Sequence, residues 1–350
     1  MKLSICIPTY NRARYLESCL HSVLTCLNQG SSDFEVCISD NGSTDDTEEV
    51  VARIGNLLTV KYQKNATNLG ITRNFLNVVD MAEGDFVWLV GDDDLLMPDA
   101  ITRLVALISE HPAVDFFYVN AYHLSSEYVL SQPRPFDTLG LPSVMKTFSP
   151  RRTDGELPFL DLISPSVSFD FLGGMFLSVF RRKNWTDNRQ ALNSDVLNDE
   201  RTFSHFDNTF PHVKIFSKAY PRSRAYFNAA PLIVCLTGAR EWAPMYPLVR
   251  SFRLLEALDE YRQAGLPWLR YLRCRNFALA HFLPDLLRMA LRPSLSGWYY
   301  VSPFRSLLSN LLFPNLYLSP IIDKVRRITS ARNMAMDAST RDGDTQMMVR

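Results

Sequence analysis

Phe86-Val87-Trp88-Leu89-Val90-Gly91-Asp92-Asp93-Asp94 joins an unbroken apolar run to three consecutive carboxylates. A short run of β-branched and aromatic side chains that ends at a glycine reads as a buried strand. The acids then stand at its C-terminal end, where open α/β sheets hold their ligands. Adjacent carboxylates repel one another unless a cation or solvent offsets the charge, and their hard oxygens suit Mg²⁺ or Mn²⁺ bridging a diphosphate. A solvated acidic turn at the positive end of the next helix has the same composition, so the cluster alone leaves both readings open.

The flanking sequence repeats the strand signal. Leu3–Ile7, Phe34–Ser39 and Leu57–Gln63 precede the run and Val114–Val119 follows it. Between them Leu16, Cys19, Leu20, Val23, Leu24 and Leu27 recur at helical spacing, as do Phe75, Val78, Val79 and Ala82, and again Ile101, Leu104, Val105 and Ile108. Strands alternating with helices predict an α/β fold with a mostly parallel sheet flanked by helices, a Rossmann-like nucleotide-binding half over residues 1–121. From Tyr122 to Thr153 the pattern lapses around Pro133, Pro135, Pro142 and Pro150, which reads as a long excursion or lid. Val213–Phe216 and Leu232–Leu236 read as further strands, residues 246–330 as a helical C-terminal region, and 331–350 as a disordered tail.

Composition narrows the function classes. Thirty-seven Lys and Arg balance 37 Asp and Glu, so no basic field exists to hold a polyanion and no nucleic-acid partner is expected. The six cysteines lack metal-ligand spacing and read as buried thiols in a reducing compartment. The first residues lack the zones of a signal peptide, and no apolar run reaches the ~18 residues of a spanning helix, which predicts a cytoplasmic location.

Three more loops carry chemistry at the same sheet edge. In Pro8-Thr9-Tyr10-Asn11-Arg12, Thr9 and Tyr10 can lie against a nucleobase while Arg12 faces phosphate. In Asp40-Asn41-Gly42-Ser43-Thr44-Asp45, Asp40 can accept from a base or ribose; the structural alternative is a turn with Ser43 as helix N-cap and Asp46 as its capping-box partner. Asn68-Leu69-Gly70 precedes Arg73 and Asn74, and an arginine there can approach diphosphate oxygens.

In order and spacing these four loops resemble the family 2 glycosyltransferases of the GT-A fold. The resemblance implies that Pro8, Thr9, Tyr10, Arg12, Asp40, Asn41, Ser43, Asn68, Gly70, Arg73, Asp92 and Asp93 bind a nucleotide-sugar donor. It further implies a divalent cation at the Asp92 to Asp94 run, with Asp94 as direct ligand and Asp92 supporting it. Gly173-Gly174-Met175-Phe176, Phe180-Arg181-Arg182-Lys183, Pro211-His212-Val213 and Gly238-Ala239-Arg240-Glu241-Trp242 are similar to a narrower group, the abequosyltransferase-like enzymes of bacterial O-antigen assembly. That likeness implies one GT-A domain over 1–245, with 122–245 as its acceptor-binding half. Gly173, Gly174, His212, Arg240, Glu241 and Trp242 would lie on the acceptor side, facing a glycan that is lipid-linked.

Sugar transfer with inversion needs a group to take the acceptor hydroxyl's proton. The family's acidic pair after the metal motif has no direct counterpart here. Asp207, in Asp207-Asn208, is the first candidate, His205 the second, and Asp195, Asp199 and Glu200 are further acids within reach of a folded loop. His212 has the alternative of bonding a backbone carbonyl. Pro293 to Ile322 contains a single charged residue, Arg305, among Leu, Tyr, Phe and Trp298, and arginines 288, 292, 326 and 327 flank it. Residues 293–327 therefore read either as a peripheral contact with the cytoplasmic face of an inner membrane or as a packed helical segment. Two other functions stay open: a nucleotide-sugar or glycan-binding protein without catalysis, and a sugar nucleotidyltransferase, which Pro8 to Arg12 disfavours by lacking glycine.

Overall fold

The computed structural model describes residues 3–30, 32–167, 169–199, 201–239 and 241–318. Glu200, Arg240, Arg326, Arg327 and the tail expected over 331–350 lie outside the described residues. The chain divides into two compact units, one of Met1–Ala243 with Glu256–Tyr271, the other of Pro244–Leu255 with Leu272–Arg350.

In the first unit the alternation of strand and helix is realised as β1 (Leu3–Thr9), α1 (Ala13–Asn28), β2 (Phe34–Asp40), α2 (Thr47–Gly55), β3 (Val60–Lys64), α3 (Ile71–Asp80) and β4 (Phe86–Leu89). The chain continues through β5 (Asp94–Leu96), α4 (Ala100–Glu110), β6 (Phe116–Ser125), α5 (Ser126–Ser131), β7 (Lys146–Thr147) and β8 (Gly155–Pro158). Next come β9 (Ser178–Arg181), α6 (Arg182–Asn188), α7 (Ser194–Leu197), α8 (Pro211–Ala219) and β10 (Arg224–Thr237). Among the described residues these strands form one sheet in the order β3-β2-β1-β4-β9-β6-β10-β5, with β7 beside β6 and β8 beside β10.

The helical crossovers make β3, β2, β1 and β4 parallel. β9 then runs antiparallel to both β4 and β6. The carboxylate turn leaves β4 at its C-terminal end, and the chain returns as β5 along β10, with Asp94 opposite Cys235. The turn thus occupies the sheet's C-terminal rim, where strand direction changes.

Phe116 centres the core of this unit, meeting Phe159, Phe216 and Tyr220 edge-on at centroid distances of 4.9, 5.2 and 5.2 Å. Phe216 reaches it from α8, so the strand expected at Val213–Phe216 is a helix. Pro211 occupies its first turn, where a missing N–H costs nothing, and the buried positions 212, 213, 215 and 216 follow helical rather than alternating spacing. The stretch expected as a lid is packed too. β6 runs on to Ser125, and Val129 and Phe136 share a small core with Leu95, Val234 and Leu236. Its prolines break regular structure, but its apolar side chains anchor it to the sheet.

The second unit holds α9 (Tyr246–Leu248), a π-helical turn at Val249–Arg253, α12 (Phe282–Leu291) and α13 (Pro303–Ser309); α10 (Leu254–Gln263) and α11 (Trp268–Ala278) contain residues of both units. Asp285 is fully buried in the second unit and accepts from Arg250 at 2.6 and 2.9 Å and from Ser251 at 2.6 Å. Among the described residues no helix is long and apolar enough to cross a membrane.

One buried amide ties the site-bearing rim together. Asn74, on α3, donates through Nδ2 to the carbonyls of Thr9 (3.2 Å) and Ser39 (2.9 Å), and its Oδ1 accepts from Ser39 Oγ at 2.7 Å. It therefore clamps the ends of β1 and β2 to each other. Asn74→Ala leaves these groups without the amide, and Asn74→Asp puts an acceptor where a donor is needed. Each substitution is expected to lower unfolding stability by about 2–4 kcal/mol in urea titration. A loss below about 0.5 kcal/mol would show that the rim is held by other means.

Candidate active site

The first two loops are sewn together before any ligand arrives. Asn11 sits in the left-handed region at φ 52°, a conformation asparagine tolerates better than most residues. There its N–H donates to Ser43 Oγ (2.8 Å) and its Oδ1 accepts from Thr44 N (2.7 Å). Asp45 accepts from Ala13 N (3.0 Å) at the start of α1 and from Thr47 Oγ1 (2.6 Å) at the start of α2. Ser43 is therefore not a helix N-cap and Asp46 is not its capping-box partner. Gly42 turns the chain at φ 81°, the helix starts at Thr47, and Ser43 serves the neighbouring loop instead.

Asp40 lies beneath this loop rather than open to a ribose. It is fully buried, one carboxylate oxygen accepting from Ser43 N (2.8 Å) and the other from Tyr62 Oη (2.7 Å). Asn41 carries the stitching on to the third loop. Its Oδ1 accepts from Leu69 N (2.9 Å), and its Nδ2 donates to Asn68 Oδ1 (2.7 Å), which also accepts from Gly70 N (2.8 Å).

The carboxylates meet the first loop directly. Thr9 is buried and donates through Oγ1 to Asp92 at 2.8 Å, so it faces the acids rather than a base. The Arg12 guanidinium lies 3.2 Å from Asp92 and 2.8 Å from Asp93, above the ring of Tyr15. Burial pushes the Asp92 carboxyl up to about 7, against the opposing pull of Arg12. Burial also works against the charge of Arg12, but Asp92, Asp93 and Glu241 together hold it more firmly protonated than usual. In the first loop Tyr10 is exposed beside the half-buried Pro8.

Asp94 is buried and accepts from Gly91 N at 3.1 Å. A Cβ on Gly91 would stand 2.8 Å from Asp94 Oδ2 and 3.0 Å from Asp93 Oδ1. The missing side chain is thus what lets two carboxylates fold over one point. Among the described residues no three His, Cys, Asp or Glu side chains form a ready metal cage. The arrangement instead fits a hard cation that takes one or two carboxylates and completes its shell with phosphate and water, and a guanidinium already bridges two of these acids.

Opposite the third loop runs the segment 193–210. Arg73 is committed to it, donating from Nε to the Leu197 carbonyl (3.1 Å) and from Nη2 to Asn198 Oδ1, so it braces this segment rather than a diphosphate. Thr72 Oγ1 donates to the Asn208 carbonyl at 2.9 Å, and a small pocket opens between Gly70, Arg73, Leu197, Asp199 and Asn208. Asp207 is buried; it accepts from Asn193 N at 2.8 Å and pairs with Lys214 at 3.5 Å, which makes it a brace and not an open base. His205 is half exposed, and its Nε2 lies 3.3 Å from Asp199. Arg201, donating at 2.7 and 2.9 Å, and Ser204, at 2.8 Å, hold the Asp199 carboxyl well below the usual carboxylate range.

Two residues away, the bulky Phe203 is held at φ 59° and packs edge-on against Trp242 at 5.1 Å. Glu241 is exposed beside it, and Asp195 is exposed on α7. His212 bonds a backbone carbonyl, the alternative open to it in the sequence. It is buried with Nε2 3.1 Å from the Leu172 carbonyl, and burial lowers its pKa to about 3, so it stays neutral and positions the chain ahead of the exposed Gly173. At Gly174 a Cβ would come within 3.1 Å of the Asp170 carbonyl, so this glycine answers to packing. Sequence reading did not single out Tyr15, Tyr62 or Thr72, which stand in no motif and act only through three-dimensional neighbours.

Comparison with known proteins accords with this geometry. The profile described as glycosyl transferase family 2 matches residues 4–173. The abequosyltransferase RfbV of Salmonella typhimurium is 29% identical over 239 residues, 67% of this chain and 66% of its own length. A GalNAc(5)-diNAcBac-PP-undecaprenol beta-1,3-glucosyltransferase of Campylobacter jejuni is 35% identical over 116 residues, 31% of this chain and 35% of its own. The matched segments therefore span less than two thirds of these relatives' lengths. Among solved structures, Staphylococcus aureus TarS in complex with UDP-GlcNAc superposes with a TM-score of 0.55 at 20% identity, over 88% of this chain and 80% of that one. The four rim loops lie inside the stretch that the glycosyl transferase family 2 profile matches, and the sheet has the fold of the TarS structure.

Proposed function

We propose that this protein transfers a hexosyl or deoxyhexosyl group from a nucleotide-sugar donor to a hydroxyl of a lipid-linked glycan, such as an O-antigen or other surface-polysaccharide intermediate. The observation that carries this reading is the stitched rim: loops after β1, β2, β3 and β4 are cross-bonded at one sheet edge around Asp92, Asp93 and Asp94. That edge is where α/β sheets bind nucleotides. The names of the Salmonella and Campylobacter relatives support the sugar and acceptor classes. The TarS complex supports a nucleotide-sugar donor.

A divalent cation, Mg²⁺ or Mn²⁺, would be held by Asp94 with Asp92 or Asp93, and when bound it would supply charge to offset the leaving diphosphate. Tyr10 offers a face to the base, and Asn68 and Gly70 shape the opposite lip. Glu241 and Trp242 belong to the acceptor side, with the exposed Gly173 at its floor. For the proton of the acceptor hydroxyl, His205 is better suited than Asp207. Its imidazole reaches solvent, and Asp199 beside it stays ionised and can stabilise the imidazolium that forms. The reaction would run at the cytoplasmic face of a membrane, where a lipid-linked acceptor resides.

Calorimetry with CDP-, UDP-, GDP- and dTDP-sugars, with and without Mn²⁺, tests the donor site. One donor is expected to bind in a metal-dependent way. Asp94→Ala should abolish that binding, and Gly91→Ala should weaken it by about 10–100-fold by displacing both carboxylates. Binding by no donor under any metal condition would overturn the proposal, whereas binding without turnover in the presence of acceptor would leave a sugar-nucleotide-binding protein.

The base is tested separately in turnover assays. His205→Ala is expected to lower kcat by about 10²–10⁴-fold while leaving donor affinity intact. Asp207→Ala should mainly cost stability, about 1–3 kcal/mol, by leaving Asn193 N without its acceptor and Lys214 with Glu260 alone. A collapse of kcat in Asp207→Ala at unchanged melting temperature, with His205→Ala active, would return the role to Asp207.

A further inference from the structure

Two short helices of the second unit turn large apolar side chains to solvent in matching series. On α12 and just beyond it, Leu287, Leu291 and Leu295 follow at four-residue steps; on α13 and just beyond it, Phe304, Leu308 and Leu312 do the same, and all six are 60–96% exposed. The four-residue step places Leu287 with Leu291 on one face of α12 and Phe304 with Leu308 on one face of α13, and Leu295 and Leu312 stand exposed in the turns that follow. Scattered exposed leucines are ordinary on soluble proteins, but two such faces in one segment mark a contact surface.

The charges around these faces have one sign. Arg288, Arg292 and Arg305 are exposed, and no Asp or Glu occurs from Leu286 to Leu318. The nearest carboxylate in sequence, Asp285, is fully buried and engaged by Arg250 and Ser251, with Arg288 also within 3.3 Å. A second copy docking face to face would oppose arginine to arginine with no carboxylate in the segment to pair them. An anionic lipid surface meets both requirements at once, because acyl chains receive the leucines while headgroup phosphates receive the guanidinium groups.

We propose that the α12–α13 face of the second unit docks this protein on an anionic bilayer, lying in the interface rather than crossing it. Neither helix is long enough to span, since α12 has 10 residues and α13 has 7. The contact read from sequence at 293–327 is thereby moved toward the N-terminus, to begin at Leu287, and its part beyond Leu318 lies outside the described residues. The inference leans on the lipid-linked acceptor of the proposed function for its purpose, but its test uses neither donor nor acceptor.

The test is co-sedimentation of the full chain with vesicles of phosphatidylcholine alone or of phosphatidylcholine with phosphatidylglycerol. Wild type is expected to pellet with the anionic vesicles, bind the neutral ones at least about ten-fold more weakly, and lose part of its binding at high salt. Leu291→Glu with Phe304→Glu should cut anionic-vesicle binding by about ten-fold or more, and Arg292→Glu with Arg305→Glu should do so chiefly at low salt. All four positions are exposed, so thermal melting should be unchanged. Absence of vesicle binding, or equal binding by wild type and both variants, would overturn the proposal. So would a wild-type dimer, seen by sedimentation velocity, that Leu291→Glu with Phe304→Glu converts to a monomer, since a second copy would then own the face.

Discussion

The amide of Asn74 holds the carbonyls of Thr9 and Ser39 at one point, and the distances between the rim loops follow from that contact. A strand end in an open sheet is free to splay, because its last carbonyls look toward water. Here β1 and β2 end side by side in register, Thr9 opposite Asp40, and a helix residue closes over both. With the ends fixed, Thr9 can donate to Asp92 from one strand while Asp40 shapes the next loop from the other. A polar network of this kind rigidifies only when its members are satisfied, and asparagine, carrying donor and acceptor on one short side chain, serves it at the buried positions 41 and 74 and at the exposed positions 11 and 68.

The electrostatics of the rim depend on that rigidity. Asp92 is buried next to Asp93, and a carboxylate so placed is costly to ionise unless positive charge comes close. Arg12 supplies it without filling the whole demand, since its single guanidinium serves two acids. Further positive charge would ease that cost, and the all-oxygen chemistry of Asp92, Asp93 and Asp94 would favour a hard cation over a soft one. Gly91 matters for the same reason. Any side chain there would push two carboxylates apart and relieve the crowding that makes them useful.

Apart from the three-residue β5, the strands of the first 120 residues were legible because apolar runs, helical periodicity and turn residues agree there, as at Phe34–Asp40 and in α1. The rim loops were legible as motifs, but not in their division of labour. Asp40, Thr9 and Arg73 have the chemistry to touch a nucleotide, yet each spends it on the chain itself, through Tyr62, Asp92 and Asn198. Nothing in a linear spacing distinguishes a carboxylate that meets a ligand from one that shapes the loop meeting it. β9 escaped notice because its four residues are too short to show a period, and α8 looked like a strand because Val213, Ile215 and Phe216 are apolar around a single Lys214. The different settings of Asp207 and His205 were illegible for a related reason. Asp207 is buried and His205 is not, and the partners of Asp207, Asn193 and Lys214, are 14 and 7 residues from it in opposite directions along the chain.

The segment 193–210 shows how a site can be built on irregular backbone without being loose. Arg73, Thr72 and Asp207 each bond it to a regular element or across its own base, and Asn208 bonds back to Ser204 and to the Arg201 carbonyl. Such a segment can keep Phe203 in a left-handed conformation that a bulky side chain avoids in free chain, because the surrounding bonds over-determine it. The strain turns the ring toward Trp242 and leaves His205, two residues on, at the surface next to Asp199. A relaxed Phe203 would have to swing its ring away from Trp242 and carry the backbone of Ser204 with it. That motion would disturb the Ser204 hydroxyl on Asp199, so the orientation of the imidazole is coupled to a packing contact that itself touches neither group.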